Sequence, residues 1–118
     1  MLLAVGGHVL DGIESQCLRM ATPLGGGIGS SHLETCGALT GGTMVIGGLH
    51  GRTVAGEDDE IAQALARQYR ELFLRELGDT RCKPIRDWVQ GPGGPGSCSV
   101  VVERAARILL ELLASNGR

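Results

Sequence analysis

An all-α fold is predicted for this chain: a small single-domain helical bundle in which a glycine-rich loop precedes a buried, glycine-rich helix. Three observations predict it. Two long segments carry apolar residues at helical spacing, a third is apolar or small almost throughout, and no alternating pattern of useful strand length occurs in the 118 residues. A chain of this length buries roughly two thirds of its unfolded surface around one core, so one domain spanning 1–118 is expected.

Met1 to Leu10 reads as a short helix, weakened by Gly6 and Gly7 because glycine loses more backbone entropy on ordering than any other residue. Ile13, Cys17, Met20 and Leu24 then follow a helical period, which turns Cys17 inward as a small, chemically quiet hydrophobe. The run Gly25-Gly26-Gly27-Ile28-Gly29 could cradle an anion on bare N–H groups. Ser30-Ser31-His32 follows it, however, where a phosphate loop needs Gly-Lys-Ser/Thr, and no strand precedes it as a dinucleotide fingerprint requires. No nucleotide is expected, and the run reads as a loop that lets backbone pass close to a cysteine cluster.

Ala38 to Leu49 is a buried helix with Cys36 at its first turn. Gly37 with Gly41, and Ala38 with Gly42, repeat at four-residue spacing and form a flat face for another backbone. The same close approach makes Gly37 and Gly41 the candidate cofactor-binding positions. Gly56-Glu57-Asp58-Asp59 supplies the cap and acidic first turn of a helix through Ile61, Leu65, Tyr69, Leu72, Phe73 and Leu77, which Gly78 ends. Cys82, between Arg81 and Lys83 with Pro84 after it, falls in a turn beyond that helix. Gly91 to Gly96, Gly-Pro-Gly-Gly-Pro-Gly, is a loop, with Cys98 just past its end. Ser97 or Ser99 caps the last helix, whose stripe is Val101, Val102, Ala105, Ile108, Leu109, Leu112 and Leu113. One helix cannot form a core of its own, so this loop is not a linker between domains.

Composition narrows the function classes. Aromatics are 3% of the chain and the net charge is -2, so base stacking and phosphate condensation are both disfavoured and nucleic acid is not expected as a partner. The apolar run after Cys36 falls well short of the ~20 residues of a membrane span. The start lacks the basic n-region of a signal peptide, so a cytoplasmic location is expected. In that reducing setting, four cysteines point to metal binding or redox work rather than to a disulfide framework.

Three of the four cysteines fall where a thiolate is expected to be stabilised. Cys36 and Cys98 stand at helix N-termini, whose unpaired N–H groups favour negative charge, and Cys82 has a cation on either side. The alternative for Cys36 is a small buried residue with no chemistry. No pair has zinc-ribbon or thioredoxin spacing, and the absence of Cys-x-x-Cys-His means no haem c. His8, His32 and His50 could supply a ligand or a base, and His32 leads because it lies four residues before Cys36. No Ser/His/Asp arrangement and no paired carboxylates stand out.

Leu18-Arg19-Met20-Ala21-Thr22, the glycine run, Glu34-Thr35-Cys36-Gly37-Ala38-Leu39-Thr40-Gly41, Met44-Val45-Ile46-Gly47, Arg81-Cys82 and Cys98 together closely resemble the C_GCAxxG_C_C family, over nearly the whole chain. The resemblance implies a small all-helical cysteine protein with redox activity and no established reaction, often encoded near transporter genes. A related module occurs in split-Soret cytochromes, whose haem motif is absent here. The family's motif cysteine falls on Cys36 and its later two on Cys82 and Cys98. Its first cysteine has no counterpart, since the chain begins at or beyond that point, and the expectation is that Met1 lies downstream of the natural start.

Two functions are therefore expected. In the first, Cys36, Cys82 and Cys98 are spatial neighbours that act as redox thiols or as ligands of a metal or iron-sulfur cluster, with His32, a second subunit or solvent completing the set. A labile cluster or none goes with three thiolates. In the second, the chain is a helical binding or scaffold module with structural cysteines, whose Gly-rich helix packs on a partner or in a homodimer, associated with a transporter system. The redox partner is not specified by either.

Overall fold

The computed structural model describes residues 1–116, and among them every regular element is helical. Helix α1 starts as a π-helical turn, Leu2–Gly6, and runs directly into Gly7–Val9, which matches a short helix weakened by its glycines. Helix α2 is Ser15–Ala21, continued by a 3-10 turn at Thr22–Leu24. Then come α3, Gly37–His50; α4, Glu60–Leu77; α5, Cys82–Gln90; and α6, Ser99–Ser115.

Helix α4 forms where its acidic start and apolar stripe predict it. Gly78 ends it in the left-handed region at φ 81°, with its N–H donating to Leu74 O at 2.8 Å. Its stripe buries Leu65, Tyr69 and Phe73, whereas Ile61 stays 64% exposed, one turn too early to reach the core. Tyr69 and Phe73 meet edge to face, ring centroids 6.2 Å apart. Each is fully buried, which stabilises the fold by about 2 to 3 kcal/mol per ring. The last helix buries Val101, Ala105, Leu109, Leu112 and Leu113. Its cap position is held by Cys98 and not by Ser97 or Ser99 as expected, because the helix starts at Ser99, whose N–H donates to Ser97 Oγ at 3.2 Å.

Helix α3 lies at the centre, packed on α1, α4 and α6. Its glycine face is used within the chain. A Cβ on Gly41 would lie 3.3 Å from Leu2 N, one on Gly37 3.5 Å from the Gly25 Cα, and one on Gly42 2.5 Å from the Tyr69 hydroxyl. The flat face expected for another backbone thus receives the chain's own N-terminus and glycine loop. Gly42 instead admits the Tyr69 ring, whose hydroxyl donates to Ala38 O at 3.1 Å.

Two expectations fail. Cys82 is not in a turn but is the first residue of α5, because Pro84 in a first helical turn forfeits no hydrogen bond. Ile85 and Val89 anchor that helix in the core. Cys17 is exposed, as is Met20 at 67%. The side of α2 nearest the protein carries Leu18 and Ala21, so the helix is rotated about one residue from the face its apolar period suggested.

Candidate functional site

The site begins at the glycine run. From Gly26 to Ser30 five successive residues hold positive φ, at 62°, 70°, 68°, 61° and 56°, and His32 follows at 63°. For Ile28, Ser30 and His32 this backbone costs roughly 1–2 kcal/mol each. Hydrogen bonds hold the loop regardless: His32 N–H to Gly26 O at 2.9 Å, Glu34 N–H to Gly27 O at 3.2 Å and Ser31 Oγ to Gly27 O at 2.8 Å. At buried Gly27 a Cβ would lie 2.6 Å from the Cys82 Cβ and 3.0 Å from the His32 Cα. Only glycine combines that φ with that approach. The loop does let backbone pass close to a cysteine, as the sequence predicts.

An antiparallel bridge joins the segments that carry two of the thiols. Cys36 N–H donates to Thr80 O and Cys82 N–H to Glu34 O, both at 2.8 Å, across the pair Thr35 and Arg81. Cys36 caps α3, Cys82 opens α5 and Cys98 caps α6, so three helix N-termini each contribute a thiol. All three line one cavity of about 390 Å³, together with His32 and Arg86. Ile85, Val101 and Val102 make its walls largely apolar. One cavity is thus shared by three cysteines that lie 46 and 16 positions apart in the chain.

The electrostatic expectation does not hold at Cys36 and Cys82. Burial pushes the Cys36 thiol above its ordinary value of 9.0; the N–H groups of Ala38 and Leu39 oppose the shift without reversing it, and negative charge on Cys82 or Cys98 adds to it. Cys82 also moves up, through burial first and Cys98 second, with Arg86 the opposing cation. The flanking cations are engaged elsewhere: Arg81 pairs with Asp79 at 3.0 Å and Lys83 with Asp87 at 3.0 Å. Desolvation outweighs the helix-end N–H groups at Cys36 and the Arg86 cation at Cys82.

His32 has a site contact, but not with the expected cysteine. Its Nδ1 lies 3.4 Å from Cys82 Sγ, fifty residues away, a bond in which either atom donates according to the tautomer. His8 and His50 lie outside the cavity, as does Cys17. Gly37 lines it, while Gly41 turns to Met1 and Leu2. Arg86 is the member that sequence reasoning missed. Once α5 is read as a helix, its position four residues after Cys82 puts it on the same face. Among the described residues no group of three or more His, Cys, Asp or Glu side chains is gathered closely enough to hold a metal ion. The donor types suit a soft metal; their arrangement does not.

Among known proteins, the family model described as "Putative redox-active protein (C_GCAxxG_C_C)" matches residues 1–112. No curated protein and no solved structure matches the chain.

Proposed function

Because the chain belongs to the C_GCAxxG_C_C family, we propose that it is a thiol redox protein in which two of Cys36, Cys82 and Cys98 cycle between dithiol and disulfide. The observation that carries this reading is the meeting of three thiols, each from a different helix N-terminus, in one cavity. Neutral thiols suit its apolar walls. Oxidation removes two protons and two electrons, which a disulfide on a redox partner accepts as it becomes two thiols. Ligation of a metal or iron-sulfur cluster by Cys36, Cys82, Cys98 and His32 would require these side chains to draw together first. A scaffold role with structural cysteines has less support, because the glycine face it would offer a partner is covered by the chain's own N-terminus and loop.

Disulfide mapping tests the proposal directly. Each cysteine lies on its own tryptic peptide, since Arg19, Arg52, Arg81, Arg86 and Arg104 separate them. After mild oxidation with diamide, mass spectrometry should find a link between two of the peptides carrying Cys36, Cys82 and Cys98, with Cys17 free. Links only through Cys17, or only between molecules, would refute the redox role and favour the scaffold.

A further inference from the structure

We propose that Cys82 is the attacking thiol of this site, that His32 is its base, and that the substrate is a low-molecular-weight disulfide admitted to the cavity. This rests on the thiol redox reading above and assigns roles within it. Of the three cavity cysteines, only Cys82 has a side-chain base within hydrogen-bonding reach, His32 Nδ1 at 3.4 Å. That contact is maintained against strain: His32 sits at φ 63°, and the loop before it is left-handed for five residues. Backbone strain that surrounding contacts hold in place is a feature of functional sites. Gly27 fixes the spacing from below, since its missing Cβ is the space in which Cys82 and His32 approach. Cys36 sits deeper and has only backbone partners.

The cavity sets the substrate class. Its volume of about 390 Å³ is at the lower end for small-molecule sites, and Ile85, Val101 and Val102 give it apolar surface. Arg86 is the one Lys or Arg side chain among its described lining residues. In the reaction, the Cys82 S–H proton passes to His32 Nδ1 while the sulfur bonds to one sulfur of the disulfide. The old S–S bond breaks, and the leaving thiolate takes the proton back from the imidazolium. Cys36 or Cys98 then attacks Cys82 Sγ of the mixed disulfide, its proton going to the second leaving thiolate. One small disulfide becomes two thiols, and two protein thiols become one disulfide.

The first step can be isolated in the full chain carrying Cys36→Ser and Cys98→Ser, in which the mixed disulfide cannot resolve. With 2-hydroxyethyl disulfide as the probe, the adduct on the Cys82 peptide is timed against the adduct on exposed Cys17, an internal reference. His32→Asn and His32→Gly are the informative variants, because Asn and Gly tolerate positive φ best and leave the loop unstrained. Both should slow the Cys82 adduct at least about tenfold with Cys17 unchanged. Added imidazole should restore part of the rate in His32→Gly. A change of less than about threefold at Cys82 in both variants, or an equal fall at Cys17, would overturn the assignment. Loss of this His32 dependence would leave the mapped disulfide intact, whereas a His32-dependent adduct without any mapped disulfide would remove the redox cycle but not the pair.

Discussion

The loop of Gly25 to Gly29 and helix α3 are both rich in glycine, and they use the same residue for different physical ends. In the loop, Gly26, Gly27 and Gly29 are needed for their backbone angles, φ 61° to 70°. In α3 the backbone is ordinary right-handed helix, and glycine serves by what it omits: Gly41 leaves room for Leu2, and Gly42 for the Tyr69 ring. The first stretch sets Cys82 against His32, and the second carries Cys36 into the cavity. Glycine content alone therefore says little about a position. What decides is whether the residue supplies a torsion, a clearance, or both.

Gly27 supplies both, so Gly27→Ala should have the largest effect. Left-handed strain and overlap with Cys82 add to an expected loss of about 3 kcal/mol or more, with Cys82 displaced from His32. Urea unfolding measures the loss, and a stability within 1 kcal/mol of the parent would show that the loop relaxes, breaking the distinction. Gly42 supplies clearance only. Gly42→Ala gains some helix propensity but forces the fully buried Tyr69 ring aside, for a net loss of about 2 kcal/mol by the same measurement. Gly47 supplies neither, as nothing lies within 4 Å of its missing Cβ. Gly47→Ala should therefore stabilise, by about 0.5–1 kcal/mol, and a loss would show an unrecognised close approach on that face of α3.

The smallest effect appears only in alkali. Cys36 and Cys82 both titrate higher in the folded chain than in the unfolded one. The folded state thus holds these protons more tightly, and the stability this confers is complete below the ordinary thiol value of 9.0 and is lost as pH rises beyond it. Unfolding midpoints should fall more steeply above that pH in the parent than in Cys36→Ser, and less of the slope should disappear in Cys82→Ser, the more exposed of the two. Equal slopes in all three would mean that Tyr69, shifted up by burial in the same direction, accounts for the loss.

Helices α4 and α6 were legible because a buried face leaves a period in the sequence and Gly78 marks an end, and α3 because it is apolar or small almost throughout. Helix α5 was not, since nine residues with Pro84 near the start offer too few repeats to outweigh a turn reading. Missing it hid Arg86 and misplaced the cations around Cys82. Cys17 was misread because a short apolar period does not say which neighbour covers it, and the protein covers the Leu18 side. Cys36 and Cys98 were legible as helix-end residues and Cys82 was not, and the burial that raises the Cys36 and Cys82 thiols depends on packing that local sequence does not record. The partnership of His32 with Cys82 spans fifty residues and leaves only the glycine run as a trace.

The proposed redox cycle needs one dithiol/disulfide pair among Cys36, Cys82 and Cys98. The most direct measurement is an equilibrium titration of Cys17→Ser protein against dithiothreitol of set reduced-to-oxidised ratio, counting free thiols at each point. The count should fall from three to one in a single two-electron step, moving by about 30 mV per tenfold change in ratio, with a midpoint independent of protein concentration. Three thiols at every potential, or a midpoint that shifts with protein concentration, would contradict it.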